Sequence, residues 1–139
     1  MVQREVAERI IASPPNMSLL SVVCQLYAQT RRVTNVPAGA FRPIPKVDSA
    51  VVQLDLYDAQ SRWGIDPEDV IALAKLGFLF PRKQLHGNLK GFGKLGSNAI
   101  KEALTTMHLL PTVRAELLTV DNWIALTHIL NKKNEKTLG

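Results

Sequence analysis

Apolar residues recur along this chain with two different periods, and the change between them divides it. Val6, Ile10 and Ile11 fall at helical spacing, and Pro14-Pro15 stop that run, because proline lacks the N–H and its ring clashes with the preceding turn. Ser18 is placed to cap a second helix, with Leu19, Val22, Val23 and Leu26 as its buried stripe and Cys24 as core filling. Val33–Val36 is a short β-like run. Pro37 to Pro45 reads as a loop. In Ala50–Tyr57 the residues Ala50, Val52, Leu54 and Leu56 alternate with Val51, Gln53, Asp55 and Tyr57, the period of two of a half-buried strand. Met1–Glu5 is ambiguous.

After Asp58–Gly64 the period becomes helical. Asp66 caps, Pro67 takes the first helical position, and Glu68 and Asp69 suit the positive end of the dipole. Val70, Leu73, Ala74, Gly77 and Phe78 form the buried face. Arg82–Phe92 is predicted as an amphipathic helix, and Gly91, Gly93 and Gly96 as a loop. Ser97 is the expected cap of a helix carrying Ile100, Leu104 and Met107. Thr119 is the expected cap of a last helix with Val120, Trp123, Ile124 and Leu130 facing inward. A boundary near Arg62 separates mixed α/β (residues 1–61) from all-α (residues 62–139).

Composition narrows the class. A chain of 139 residues with 46% hydrophobic positions can bury a core, so wholesale disorder is excluded. Apolar runs are too short to span a bilayer, and no basic-then-apolar segment opens the chain. With one cysteine, neither an internal disulfide nor a cysteine-cluster zinc site can form. His108 and His128 have no ligand-like spacing partner, so no metal is expected. A cytoplasmic location is expected.

The formal net charge is +5, and its distribution says more than its sum. Residues 1–57 hold six basic and four acidic groups, whereas 81–101 hold Arg82, Lys83, Lys90, Lys94 and Lys101 with no acid. At about 100° per residue, Arg82, Lys83, His86 and Lys90 share roughly one-third of a helix circumference, with Leu85, Leu89 and Phe92 on another side, toward the core. Any surface helix has a solvated charged face. Twenty-one residues without an acid favour contact with a polyanion. Lys132, Lys133 and Lys136 in the tail read as a frayed, solvated end.

The segment FRPIPKVDSAVV, Phe41 to Val52, resembles the FxPxPKVDSAVV motif of the ribosomal RNA adenine dimethyltransferases. MVQREVAERI at 1–10 is similar to the family's MVQKEVAERI, FPRKQLHGNLK at 80–90 to its FSQRRKTLRNNL, and RAELLTVDNWIAL at 114–126 to its RAEELSLEEFVRL. The matches run in order along essentially the whole chain. Pro81, Gln84 and His86 depart from the family pattern, and His86 makes one expected positive charge pH-dependent.

The resemblance implies dimethylation of two adjacent adenosines of small-subunit ribosomal RNA, with S-adenosylmethionine as cofactor. It also implies a fold: an α/β remnant of a doubly wound Rossmann-like methyltransferase sheet, followed by a small all-α carboxyl-terminal domain. The family's glycine-rich cofactor turn and Asn-Leu-Pro-Tyr motif have no counterpart here. Asn35–Ala38 is expected to be a plain turn, and Gly91–Gly96 lacks the spacing of a phosphate loop. The chain is thus expected to represent the carboxyl-terminal half, neither binding S-adenosylmethionine nor turning over alone. Phe41 is implied as the stacking face for the target adenine. Lys46, Arg82, Lys83, His86, Lys90 and Lys94 are the candidate RNA contacts, with small-subunit ribosomal RNA as partner. Asp48 and Ser49 are expected to fix the loop-to-strand turn, and Trp63 and Trp123 to pack. Met1–Glu5, Val33–Val36 and Ala50–Tyr57 would form a three-strand remnant whose open edge promotes self-association. Two other readings stand beside this one. The first is a non-enzymatic ribosomal-RNA-binding assembly module. The second is a helix-turn-helix over 112–131, disfavoured because its second helix has no base from Val120 to Asn131 and Asp121 would repel phosphate.

Overall fold

The computed structural model describes residues 1–138, and the side chains of all of these but 60 and 136–138. Strand β1 (Val2–Gln3) runs directly into helix α1 (Arg4–Ile10), and α2 (Leu19–Tyr27) runs directly into β2 (Ala28–Val36). A loop containing a short 3-10 turn at Ala38–Ala40 leads to β3 (Ser49–Leu56). There follow α3 (Ala59–Trp63), α4 (Pro67–Gly77), α5 (Leu85–Leu89), α6 (Ser97–Thr106), a 3-10 turn at Ala115–Leu117, and α7 (Val120–Leu138).

The strands form one sheet in the order β1-β3-β2, and both pairings are antiparallel. The central strand is the one whose alternation was clearest. β2 is longer than the expected Val33–Val36, because Ala28–Arg32 also pairs, from Ala28 opposite Leu56 to Arg32 opposite Val52. Its polar sequence hid it: ladder hydrogen bonds to β3 hold it, and only Ala28 of the strand is buried. β1 matches only Val2 with Ala50 and Gln3 with Ser49. The rest of Met1–Glu5 is not strand, since the α-helix begins at Arg4.

Helix α2 is capped as its sequence indicates. The Ser18 hydroxyl accepts from the Ser21 N–H at 3.3 Å, and the Ser21 hydroxyl accepts from the Ser18 N–H at 3.0 Å. Gln25 donates to the carbonyls of Ile10 (3.0 Å) and Ala12 (2.8 Å), satisfying the end of α1. Cys24 is half-buried rather than core, and burial raises its thiol pKa. Asp66 accepts from the Glu68 N–H at 2.9 Å and caps α4 behind Pro67.

One core crosses the position of Arg62. Met17, Val22 and Leu26 join Val70, Leu73, Leu85, Leu89, Ile100, Leu104, Trp123 and Leu130 in a single buried cluster. Gly77 lets α4 approach α7: a Cβ there would run into the Trp123 ring and lie 2.9 Å from Leu85 Cδ1. Trp123 is fully buried and Trp63 donates its indole N–H to the Leu26 carbonyl at 2.7 Å, so both are packing residues.

Several sequence expectations are corrected. Arg82–Phe92 is not one helix: Lys83 N–H closes a turn on the Phe80 carbonyl at 2.9 Å, and α5 spans only Leu85–Leu89. Gly91, at φ +87°, turns the chain out of helical geometry. Ser97 is the first residue of α6 rather than its cap, and its hydroxyl bonds to His86 instead. Thr112–Leu118 holds only a 3-10 turn, so 112–131 is not a helix-turn-helix. The tail is helical to Leu138 rather than frayed, and Asn134 accepts from the Lys94 N–H at 3.4 Å; the Lys136 side chain lies outside the described residues.

Candidate nucleic-acid interface

The loop before β3 is pinned by one carboxylate. Asp48 Oδ1 accepts from the Ala38 N–H at 2.8 Å, closing a ring of backbone around Phe41. Asp48 Oδ2 pairs with Arg4 Nη1 at 3.4 Å, and the Asp48 carbonyl accepts from the Arg4 N–H at 2.9 Å. The turn is thereby fastened to the first residue of α1, and Asp48 acts as a loop brace. Within the ring, Arg42 donates to the carbonyls of Gly39 and Phe41, each at 2.8 Å. Phe41 is half-buried, and Lys46 is exposed.

Lys46 borders a cleft of about 440 Å³ that Gln3, Arg4, Glu5, Glu8, Val47 and Asp48 also line. Its charge is mixed. Arg4 lies 4.0 Å from Glu8, which also faces Arg32 at 3.8 Å. Sequence reasoning passed over Arg4. Its signal was the spacing of four to Glu8, which reads as ordinary helix support until the fold brings Asp48 alongside.

The second group of candidates lies around α5. Arg82 and Lys83 sit on the turn before it, Lys90 at its end and Lys94 in the following loop, all exposed. Being on separate turns, they do not share a helical face. His86 is held differently. Its Nε2 lies 2.8 Å from Gln84 Oε1 and its Nδ1 3.0 Å from Ser97 Oγ. Gln84 can only accept at that atom, so Nε2 carries the proton and Nδ1 accepts from the serine hydroxyl. Burial and the nearby Lys101 charge lower its pKa, which favours the neutral ring.

Among the described residues no hydrogen bond, ion pair or ring contact joins the Phe41–Lys46 loop to the Arg82–Lys94 group. Nor do the described residues gather three or more His, Cys, Asp or Glu that could hold a metal. No described helix is long and apolar enough to cross a membrane.

Residues 1–132 match the sequence family described as ribosomal RNA adenine dimethylase. A curated relative, Ribosomal RNA small subunit methyltransferase A of Rippkaea orientalis, is 39% identical over 132 residues, which are 94% of this chain and 47% of that protein. The protein of the same name from Synechocystis is also 39% identical, over 94% of this chain and 45% of its own length. The chain thus spans about half the length of the relatives it matches. Among solved structures, a dimethyladenosine transferase from Plasmodium falciparum aligns with a TM-score of 0.70 at 25% identity, covering 94% of this chain and 55% of that one. The 23S rRNA methyltransferase ErmE shares the fold, with a TM-score of 0.68 at 20% identity over 93% and 52% of the two chains.

Proposed function

The chain belongs to the ribosomal RNA adenine dimethylase family, and on that premise we propose that it is the target-base loop and RNA-docking portion of an enzyme that dimethylates two adjacent adenosines of small-subunit ribosomal RNA in the cytoplasm. The observation that carries this reading is the Phe41 loop, braced at both ends by Asp48. An exocyclic adenine amine is a weak nucleophile while its lone pair is delocalised into the ring. The base must be taken out of its stack and held flat before the amine can react. Phe41 offers an aromatic face for that purpose, and base–aromatic stacking is worth roughly 1–3 kcal/mol. The brace holds the loop in place before RNA arrives, which lowers the cost of ordering it. Lys46 would meet the backbone phosphate beside the flipped base.

Arg82, Lys83, Lys90 and Lys94 would meet phosphates of the docked RNA and position it without reading its sequence. His86, whose neutral form is favoured, would serve as a hydrogen-bonding spacer between Gln84 and Ser97 rather than as a cation. The 39% identity to small-subunit methyltransferases favours small-subunit RNA over 23S rRNA, the RNA of the 20% identical ErmE.

S-adenosylmethionine is the methyl donor of the full family enzyme, and the residues present do not fit it. A doubly wound cofactor sheet carries a glycine-rich turn between strand and helix. Here β1 passes into α1 through Gln3 and Arg4 without a glycine, and the adjoining cleft carries Arg4 and Lys46 against Glu5, Glu8 and Asp48. The chain alone is therefore expected to be inactive. The second reading, an RNA-binding assembly module with no methylation role, rests on the acid-free segment 81–101.

A chimera distinguishes the two. With this chain in place of the matching part of the Rippkaea orientalis protein, methyl transfer to small-subunit RNA is expected, and Phe41→Ala should lower kcat. The chain alone should give no heat on titration with S-adenosylmethionine. Micromolar binding by the chain alone, or undiminished transfer by the Phe41→Ala chimera, refutes the reading.

A further inference from the structure

The turn that presents Arg82 and Lys83 also holds apolar side chains in solvent. Just past α4, Leu79 is 60% exposed and Phe80 52% exposed. Single exposed leucines are ordinary, but an exposed aromatic beside a leucine at the edge of a basic segment marks a contact surface. Phe80 is also rigidly carried. Asn88 of α5 donates through Nδ2 to the carbonyls of Gly77 at 2.9 Å and Phe80 at 3.0 Å, and the Lys83 N–H reaches the Phe80 carbonyl at 2.9 Å. The backbone on both sides of the ring is thus fastened to α5, whose Leu85 and Leu89 are fully buried. The Lys83 ammonium lies 4.5 Å from the ring centroid. From 81 to 101 the chain has five basic groups and no acid. Planar apolar bases strung on a polyanion match both the ring and the charge. An apolar protein surface matches only the ring.

We propose that Phe80 is a stacking site for an unpaired nucleobase of RNA, with Arg82 and Lys83 engaging the flanking phosphates. The proposal rests on the reading of 81–101 as an RNA-docking segment and adds a preference that phosphate contacts cannot provide. A duplex keeps its bases stacked on one another, whereas a loop or single strand can lay one on the ring. Lys83 would exchange the ring for a phosphate as the base arrives.

The test is equilibrium binding of the 139-residue chain to a hairpin RNA with an unpaired loop, and to a fully paired duplex of equal length, over a salt series. The wild-type chain is expected to prefer the hairpin. Phe80→Ala should lose roughly tenfold on the hairpin, little on the duplex, and keep the same salt slope. Phe80→Trp should restore binding, and Phe80→Leu, which keeps apolar bulk without a π face, should not. Lys83→Ala should instead flatten the salt slope on both RNAs. Thermal melts of each variant report whether the fold is kept. Wild-type affinity in Phe80→Leu would mark the site as an apolar protein contact and overturn the proposal. So would an unchanged Phe80→Ala, or a loss equal on hairpin and duplex. Steep salt-dependent binding together with any of these outcomes leaves the docking reading intact. A wild-type chain that binds neither RNA overturns both.

Discussion

His86 shows how a residue changes role between sequence and structure. In the sequence it stands on a basic stretch and reads as a pH-dependent cation. In the structure both ring nitrogens are engaged, by Gln84 and Ser97, and burial and Lys101 lower its pKa. A lowered pKa means that the folded state favours the neutral ring. That contribution to stability is fully present above the unfolded value near 6.5 and is lost as pH falls through the folded pKa. Urea midpoints of the wild-type chain and His86→Gln should therefore diverge: the wild-type chain loses more stability between pH 7.5 and pH 5 than the variant. Parallel pH profiles would remove this role. Residue-scale structure was otherwise readable where a motif carried it, as with Asp48 fixing the loop-to-strand turn. It was unreadable where a partner came from afar in sequence, as with Arg4 and Asp48.

At the scale of elements, the caps were legible because capping is local. Ser18, Asp66 and Thr119 each bond within three residues of themselves, Thr119 through a reciprocal pair with Asn122. β3 was legible because its alternation is a two-residue rule. β2 was legible only at Val33–Val36, since the polar residues before them pair with a strand twenty or more positions away. The basic helix was over-read because charge spacing has no knowledge of the turn at Phe80–Lys83 or of Gly91. The sheet edge carries a proposal of its own. Among the described residues β1 covers only Ser49 and Ala50 of β3, so Val51–Leu56 is paired on the β2 side alone. Leu54 is 46% and Leu56 79% exposed, and such an edge is a template for another strand. We expect self-association that grows with concentration in sedimentation velocity. A single 15.4 kDa monomer at every concentration would argue against it.

At the scale of the whole molecule, the shared core matters more than the sequence boundary near Arg62. α2 packs on α4 and α7 within one continuous apolar cluster that also holds Leu85 and Leu89 beside the basic turn, while the β3 loop lies outside that cluster and is tied through Asp48 to α1, which packs on α2. An arrangement of this kind would hold RNA at 81–101 while presenting Phe41 elsewhere on the surface. That arrangement is the central claim, and binding of the chain to small-subunit ribosomal RNA across a salt series tests it most directly. Each neutralised phosphate contributes about −0.7 to −0.9 to the slope of log affinity against log salt. Contacts from Arg82, Lys83, Lys90 and Lys94 predict a slope of about −3 that flattens when all four become alanine. A flat dependence, or a slope indifferent to the four substitutions, would contradict it.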